Sequence, residues 1–266
     1  MGKMSKPKKA RKLKDFSEGN KTTRNIITVC SILFGFLIWS LLASIPSIGT
    51  FLASPRQVWK ALLSESSAGG RYWKDVGISL KRVGVGFGLA FLCAIPISFL
   101  MGWYPKIRKF LEPWIQFIRN IPPLAYVPLI VIAAGVGRKP QIITITIACF
   151  LIMCVTIYQG VINVDETLIK AARVLGAKDR DIFLRVIAPA TLPFILTAVR
   201  LGASVALTTL IAAESTGAMA GLGMRIRSLN NSFESAPMLL YIIIIGVLGM
   251  PTEDSPFYSI IVDGIH

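Results

Sequence analysis

The sequence predicts an all-α, multi-pass membrane protein, and three observations carry that prediction. The 266 residues are 53% hydrophobic. Several apolar runs reach ~20 residues, the length of helix that crosses a bilayer. The 29 Lys and Arg, which give a net charge of +15, fall mostly between those runs. Open sheets cannot replace helices there, because unpaired backbone groups are too costly in hydrocarbon. About six transmembrane helices are expected in one domain, residues 26–250. A basic tail, 1–25, precedes it and an atypical tail, 251–266, follows.

The excess positive charge does not imply nucleic acid. Nine of the 29 Lys and Arg lie before residue 25, and most others sit in short connections. The positive-inside bias produces that distribution, and the tail is expected to touch anionic lipid. Cys30, Cys93, Cys149 and Cys154 all lie in apolar runs without ligand spacing, so neither a disulfide framework nor a zinc site is expected. The single histidine, His266, excludes histidine-based catalysis.

Span 1, about Ile26 to Ile45, is longer than the apolar core of a signal peptide and is read as a retained anchor. Residues 46–74 form a loop with Ser54-Pro55 and Gly69-Gly70; its Phe51, Val58, Trp59, Leu62 and Leu63 suit a membrane surface. Span 2 runs about Val76 to Met101. Lys81 and Arg82 near its start are expected to snorkel to headgroups. Gly84, Gly86 and Gly88 lack the Lys-Ser/Thr of a phosphate loop and fit close helix approach instead. A short basic loop, Tyr104 to Lys109, follows. Span 3, about Pro113 to Val136, contains Pro122, Pro123 and Pro128, which must kink or interrupt it. That interruption either lines a pathway or is a packed kink. Span 4 runs about Gln141 to Ile162, span 5 about Leu192 to Ile211, and a last apolar run Pro237 to Met250. A Gly- and Asn-rich stretch, Glu214 to Ala236, separates the last two.

Alternating crossings put 18 Lys and Arg on the side of the N-terminus and 8 on the other. The N-terminus is therefore expected in the cytoplasm. The segment between spans 4 and 5, residues 163–190, then lies in the cytoplasm as well.

That segment is the most informative in the chain. Asp165 can cap a helix whose first turn holds Glu166; Lys170 and Arg173 suit its end, and Gly176 can take the left-handed conformation that stops it. Ala171 and Ala172 give the helix a low-relief patch. A second helix is expected from Asp179 to Ile187, with Ile182, Phe183 and Val186 on one face. Pro189 and Pro193 mark re-entry into the bilayer. A docking site for a soluble partner and an amphipathic connector lying on lipid both fit this spacing.

The order Lys170-Ala171-Ala172, three residues, Gly176, nine residues, Val186, one residue, Ala188-Pro189 resembles the EAA loop of ATP-binding cassette (ABC) importer permeases. Lys170 stands for the glutamate of that pattern, Val186 for isoleucine and Ala188 for leucine. Leu52-Ala53-Ser54-Pro55, Ser79-Leu80-Lys81-Arg82-Val83, Ile121-Pro122-Pro123-Leu124-Ala125 with Pro128-Leu129, and Ala213-Glu214 with Gly221-Leu222-Gly223 resemble the branch that imports nitrate, alkanesulfonate and taurine. The resemblance covers roughly residues 50–250. It implies a type I, MetI-like permease fold in a bacterial cell membrane, a homodimer, two copies of a separate ATPase and an extracytoplasmic solute-binding protein. The loop, with Asp165, Lys170, Ala171, Ala172, Gly176, Asp179, Phe183, Val186 and Pro189, would dock on the ATPase. No Walker motif occurs, so this chain binds no cofactor and is no enzyme; ATP and Mg belong to the partner.

The resemblance also places the solute path along the dimer axis. Thr144 and Thr146 in span 4, and Arg200, Ser204, Thr208 and Thr209 in span 5, are candidate lining residues. Arg200 either faces an anionic solute or snorkels. Glu214 is expected to close a loop. Rival functions are an ATP-independent secondary transporter, which would show repeated spans and intramembrane carboxylates, and a non-transporting adaptor. Permeases of this kind continue the last span into a basic tail. Here the run from Pro237 to Met250 gives ~21 Å of helix, short of a ~30 Å core. An altered terminus and a poorly anchored last span are expected.

Overall fold

The computed structural model describes residues 21–49, 51–67 and 69–249. All regular structure among them is helical. The expected basic tail, up to residue 20, and the expected atypical tail, 251–266, lie outside the described residues. The chain divides at Pro55 into two compact units.

In the first unit, α1 (Lys21–Ser44) is followed by the single turn α2 (Pro46–Gly49). Trp39 Nε1 donates to the carbonyl of Ala53 at 3.0 Å. The apolar α1 side chains, such as Leu33, Phe34 and Leu41, are exposed, as a helix facing lipid requires.

The second unit begins at Arg56, one residue into α3 (Pro55–Ser67), so the expected 46–74 loop is largely helical. Leu62 packs with Tyr72, while Trp59 stays exposed. Then come α4 (Arg71–Trp103), α5 (Pro105–Arg119), α6 (Pro123–Ala134) and α7 (Arg138–Ile162). The core is built where α7 lies between α4 and α10 (Ala188–Gly217). Ile145, Cys149, Met153 and Ile157 of α7 are fully buried among Ala90 and Ala94 of α4 and Ala198 and Ala206 of α10. Small residues permit this approach. A Cβ on Gly86 would meet Ile145 at 2.8 Å, whereas Gly84 and Gly88 have open space, so one of the three expected contact glycines serves this role.

Span 3 is interrupted as expected, and at one place. Pro122-Pro123 breaks it, and α5 and α6 meet at 99°. Pro113 and Pro128 lie inside their helices. The expected basic loop is absent: Lys106, Arg108 and Lys109 form the first turns of α5. Tyr158 donates to Glu112 at 2.9 Å, which fixes α5 against α7.

Pro189 and Pro193 do not separate a loop helix from span 5. From Asp179 to Gly217 the chain is one helical rod of 39 residues. The reason is a π turn, Phe183–Ile187, in which the Ala188 N–H reaches the Phe183 carbonyl. That wider turn shifts the hydrogen-bond register just before Pro189, whose missing donor is then tolerated. After α10 come α11 (Leu222–Asn231) and the short apolar α12 (Ser235–Gly249).

Candidate functional sites in the polar segments

Residues 163–190 form the first site. α8 (Glu166–Val174) begins where the sequence places it, because the Thr167 N–H donates to Asp165 Oδ1 at 2.7 Å. That bond holds the Asp165 carboxyl below the usual carboxylate range. Lys170 reaches back one turn to Glu166 at 2.9 Å. Both are exposed, so this pair contributes little.

The helix ends in a Schellman motif. Gly176 has φ +80°; its N–H donates to Arg173, and the Ala177 N–H donates to Ala172, both at 3.0 Å. α9 (Asp179–Ile182) follows and runs into the π turn. Ile182 and Ile187 are buried with Val161 and Val164, and Ala172 and Ile169 pack against them. Phe183 stands edge-on to Phe99 and Trp103, with centroids 5.3 and 5.6 Å away. Val186 is half-buried, and Ile187 takes the central place expected of it. Pro189 lies inside the continuous rod.

This anchoring leaves the other face of α8 open. Leu168, Ala171 and Leu175 share it at helical spacing, and all three are exposed. Val174 and Leu175 are 87% and 86% exposed. An apolar ridge on a polar connector, held by a packed inner face, is suited to contact with another protein.

The second site was only half visible in the sequence. Arg82 does not snorkel. It is buried, and its Nη1 meets Glu214 Oε1 at 2.6 Å and the Ala220 carbonyl at 2.7 Å. Ser79 Oγ lies 2.8 and 2.9 Å from the two Glu214 oxygens, and the Gly223 N–H donates to Oε2 at 2.9 Å. Asp75 takes the Gly221 N–H at 3.3 Å and the Tyr241 hydroxyl at 3.2 Å, with Arg225 at 3.6 Å. Two carboxylates and two guanidinium groups thus join α4, α10, α11 and α12. Glu214 closes the glycine loop, as expected. The last helix is better anchored than expected, since α12 is held at its middle by the fully buried Tyr241. Asp75 and Tyr241 carry no sequence signal beyond one charge before an apolar run and one hydroxyl within another.

The third site concerns the candidate path residues. Thr197, Arg200, Ser204 and Thr208 lie on one exposed face of α10, alternating with buried Ala198, Gly202, Ala206 and Thr209. Thr208 and Thr209 also line a cavity of about 320 Å³ beside the α5–α6 break. Arg200 and Ser204 are not among its lining residues. Thr144 is fully buried and donates to the Pro140 carbonyl, and Thr146 donates to Gly86 and Ile142. The Thr146–Gly86 bond ties α7 to α4, while the other two lie within α7. No group of metal-ligating side chains occurs among the described residues.

Residues 86–253 match the family model of the binding-protein-dependent transport system inner membrane component. A probable ABC transporter permease protein of Brucella melitensis is 49% identical over 66% of this chain and 72% of its own length. The taurine transport system permease protein of Escherichia coli is 34% identical over 81% and 80%. The nitrate import permease protein of Leptolyngbya laminosa is 29% identical over 93% and 92%. Among solved structures, an inward-facing methionine ABC transporter superposes with a TM-score of 0.63 at 17% identity, covering 73% of this chain and 95% of that one. An amino acid ABC transporter crystallised with histidines gives 0.62 at 20%, covering 75% and 96%. These two likenesses establish the fold.

Proposed function

Because the chain belongs to the family of binding-protein-dependent transport inner membrane components, as the permease subunit of an ABC importer, we propose that it carries a small anion of the nitrate, sulfonate or taurine kind into a bacterial cell. It is a multi-pass membrane protein and a transporter subunit, with the chemistry of ATP hydrolysis left to another chain. In this reading two copies pair, two ATPase subunits dock on the α8 ridge, and a solute-binding protein delivers cargo on the opposite side. The N-terminus and α8 face the cytoplasm. The permease binds no nucleotide or metal itself, and lipid surrounds its outer helices.

The observation that carries the reading is the face of α10 bearing Thr197, Arg200, Ser204 and Thr208. A polar stripe on a membrane-spanning helix is costly against lipid. It is stable where a second copy completes a water-filled path. The α5–α6 break supports the same arrangement, since interrupted helices border such paths.

Reconstitution into liposomes with the ATPase and binding protein tests this. Taurine, nitrate and ethanesulfonate are offered in turn. Uptake of one of them that requires ATP and the binding protein is expected. Uptake that follows an ion gradient without ATP would instead establish a secondary transporter.

A further inference from the structure

The cavity at the broken span carries charge of one sign. It lies between the α5–α6 break, the middle of α7 and the outward face of α10. Its polar lining is Arg119, Tyr126, Thr208 and Thr209, and it includes no carboxylate. Leu151 and Ile152 line it, about 15–21 Å along α7 from either end at 1.5 Å per residue. The cavity is therefore at mid-membrane depth. Glu112 of α5 pairs with Tyr158, and Arg119 of the same helix lies two turns further in.

Three features make this cavity fit an anion. Arg119 is exposed to it and forms no ion pair among the described residues. Thr209 is 2% exposed, and its hydroxyl has no hydrogen-bond partner among the described residues. Pro123, the first residue of the 12-residue α6, also lines the cavity, so the positive end of that helix dipole faces it. A guanidinium presents paired N–H groups that match two oxygens of a nitrate or sulfonate. Low-dielectric walls strengthen that attraction and reject cations.

We propose that Arg119, with the Thr209 hydroxyl and the start of α6, forms a mid-membrane site that selects oxyanionic solutes. The proposal deepens the import reading and rests on it. Arg119 supplies the charge that distinguishes anion from cation, and Thr209 supplies a donor already stripped of water. Arg200, further along the same α10 face, belongs to the path but not to this cavity.

The test uses the full chain in liposomes, with the exposed Cys30 and Cys93 replaced by Ser and Thr208→Cys introduced as reporter. Two thiol reagents of equal size are compared: a methanethiosulfonate bearing a sulfonate and one bearing a trimethylammonium. Rates are normalised to those with a free thiol. The anionic reagent is expected to react on the order of tenfold faster. Arg119→Gln should bring the ratio to about one, and Arg119→Lys should retain most of it. Ile152→Cys is a second reporter should the first disturb folding. A ratio unaffected by Arg119→Gln, or near one in the parent, overturns the anion site and leaves the import reading standing. Reporters that react with neither reagent overturn the open cavity itself, and with it the path assignment for Thr208.

Discussion

Arg82 Nη1 and Glu214 Oε1 meet at 2.6 Å across 132 residues of sequence, and both side chains are buried. Glu214 lies in the last turn of α10 and Arg82 about three turns into α4, and the two helices run antiparallel. Ser79 and the Gly223 N–H supply further donors to the carboxylate. A buried pair is costly to desolvate, and breaking one partner leaves a charge uncompensated. Arg82→Met or Glu214→Leu alone is expected to cost about 3–5 kcal/mol. The double variant should cost clearly less than the sum of the two. Thermal unfolding of the purified permease measures all three, and strict additivity would show that the pair is not coupled.

Gly221 makes the carboxylate site possible. It has φ +118°, and a Cβ there would strike the Glu214 carboxylate. Gly221→Ala therefore incurs both backbone strain and a clash, about 1–3 kcal/mol for the strain alone. Gly88→Ala meets nothing within 4 Å and should be neutral or slightly stabilising in a helix. Comparing the two thermal midpoints checks the difference. Equal midpoints would remove the reason given for a glycine at 221.

What was legible in the sequence was local. Asp165, Lys170, Arg173 and Gly176 define α8 within a dozen residues, and cap, dipole and stop signals act at that range. Pro122-Pro123 likewise marks its own break. Arg82 and Glu214 were each visible as odd charges, but partner choice is tertiary. Their placement at matching ends of antiparallel spans was the available clue. Pro189 and Pro193 misled for a physical reason, because the π turn before Pro189 tolerates its missing donor. Arg119 lies inside the expected span 3 without a local signal, because its cavity is assembled from α5, α6, α7 and α10.

The α8 cap is expected to depend on pH. Asp165 is held below its ordinary value by the Thr167 N–H. A depressed folded-state value means that the cap's contribution is present above the ordinary carboxylate range. It is lost as pH falls through the depressed value. Amide exchange at Thr167 should therefore accelerate in acid once its base catalysis is allowed for. Asp165→Asn keeps a capping oxygen and should flatten that dependence, while Asp165→Ala should leave the amide weakly protected at every pH. An Asn variant with the parent's pH profile would assign the effect to another group.

The exposed ridge of α8 can be separated from its buried anchor. Leu175 is 86% exposed, whereas Ile182 is 1% exposed and belongs to the core. Leu175→Glu places a charge on the ridge and touches nothing that holds α8 to α7. It should leave thermal stability of the permease nearly unchanged, within about 0.5 kcal/mol for a surface site. It should abolish co-purification with the ATPase. Gly176→Pro acts differently. Proline fixes φ near −65° and removes the N–H that donates to Arg173, so the Schellman motif cannot form. The ridge would then be mis-aimed, although the α4, α7 and α10 core is untouched. Loss of both assembly and solute-stimulated hydrolysis is expected. If Gly176→Pro left both at parental levels, the docking role of this loop would be wrong.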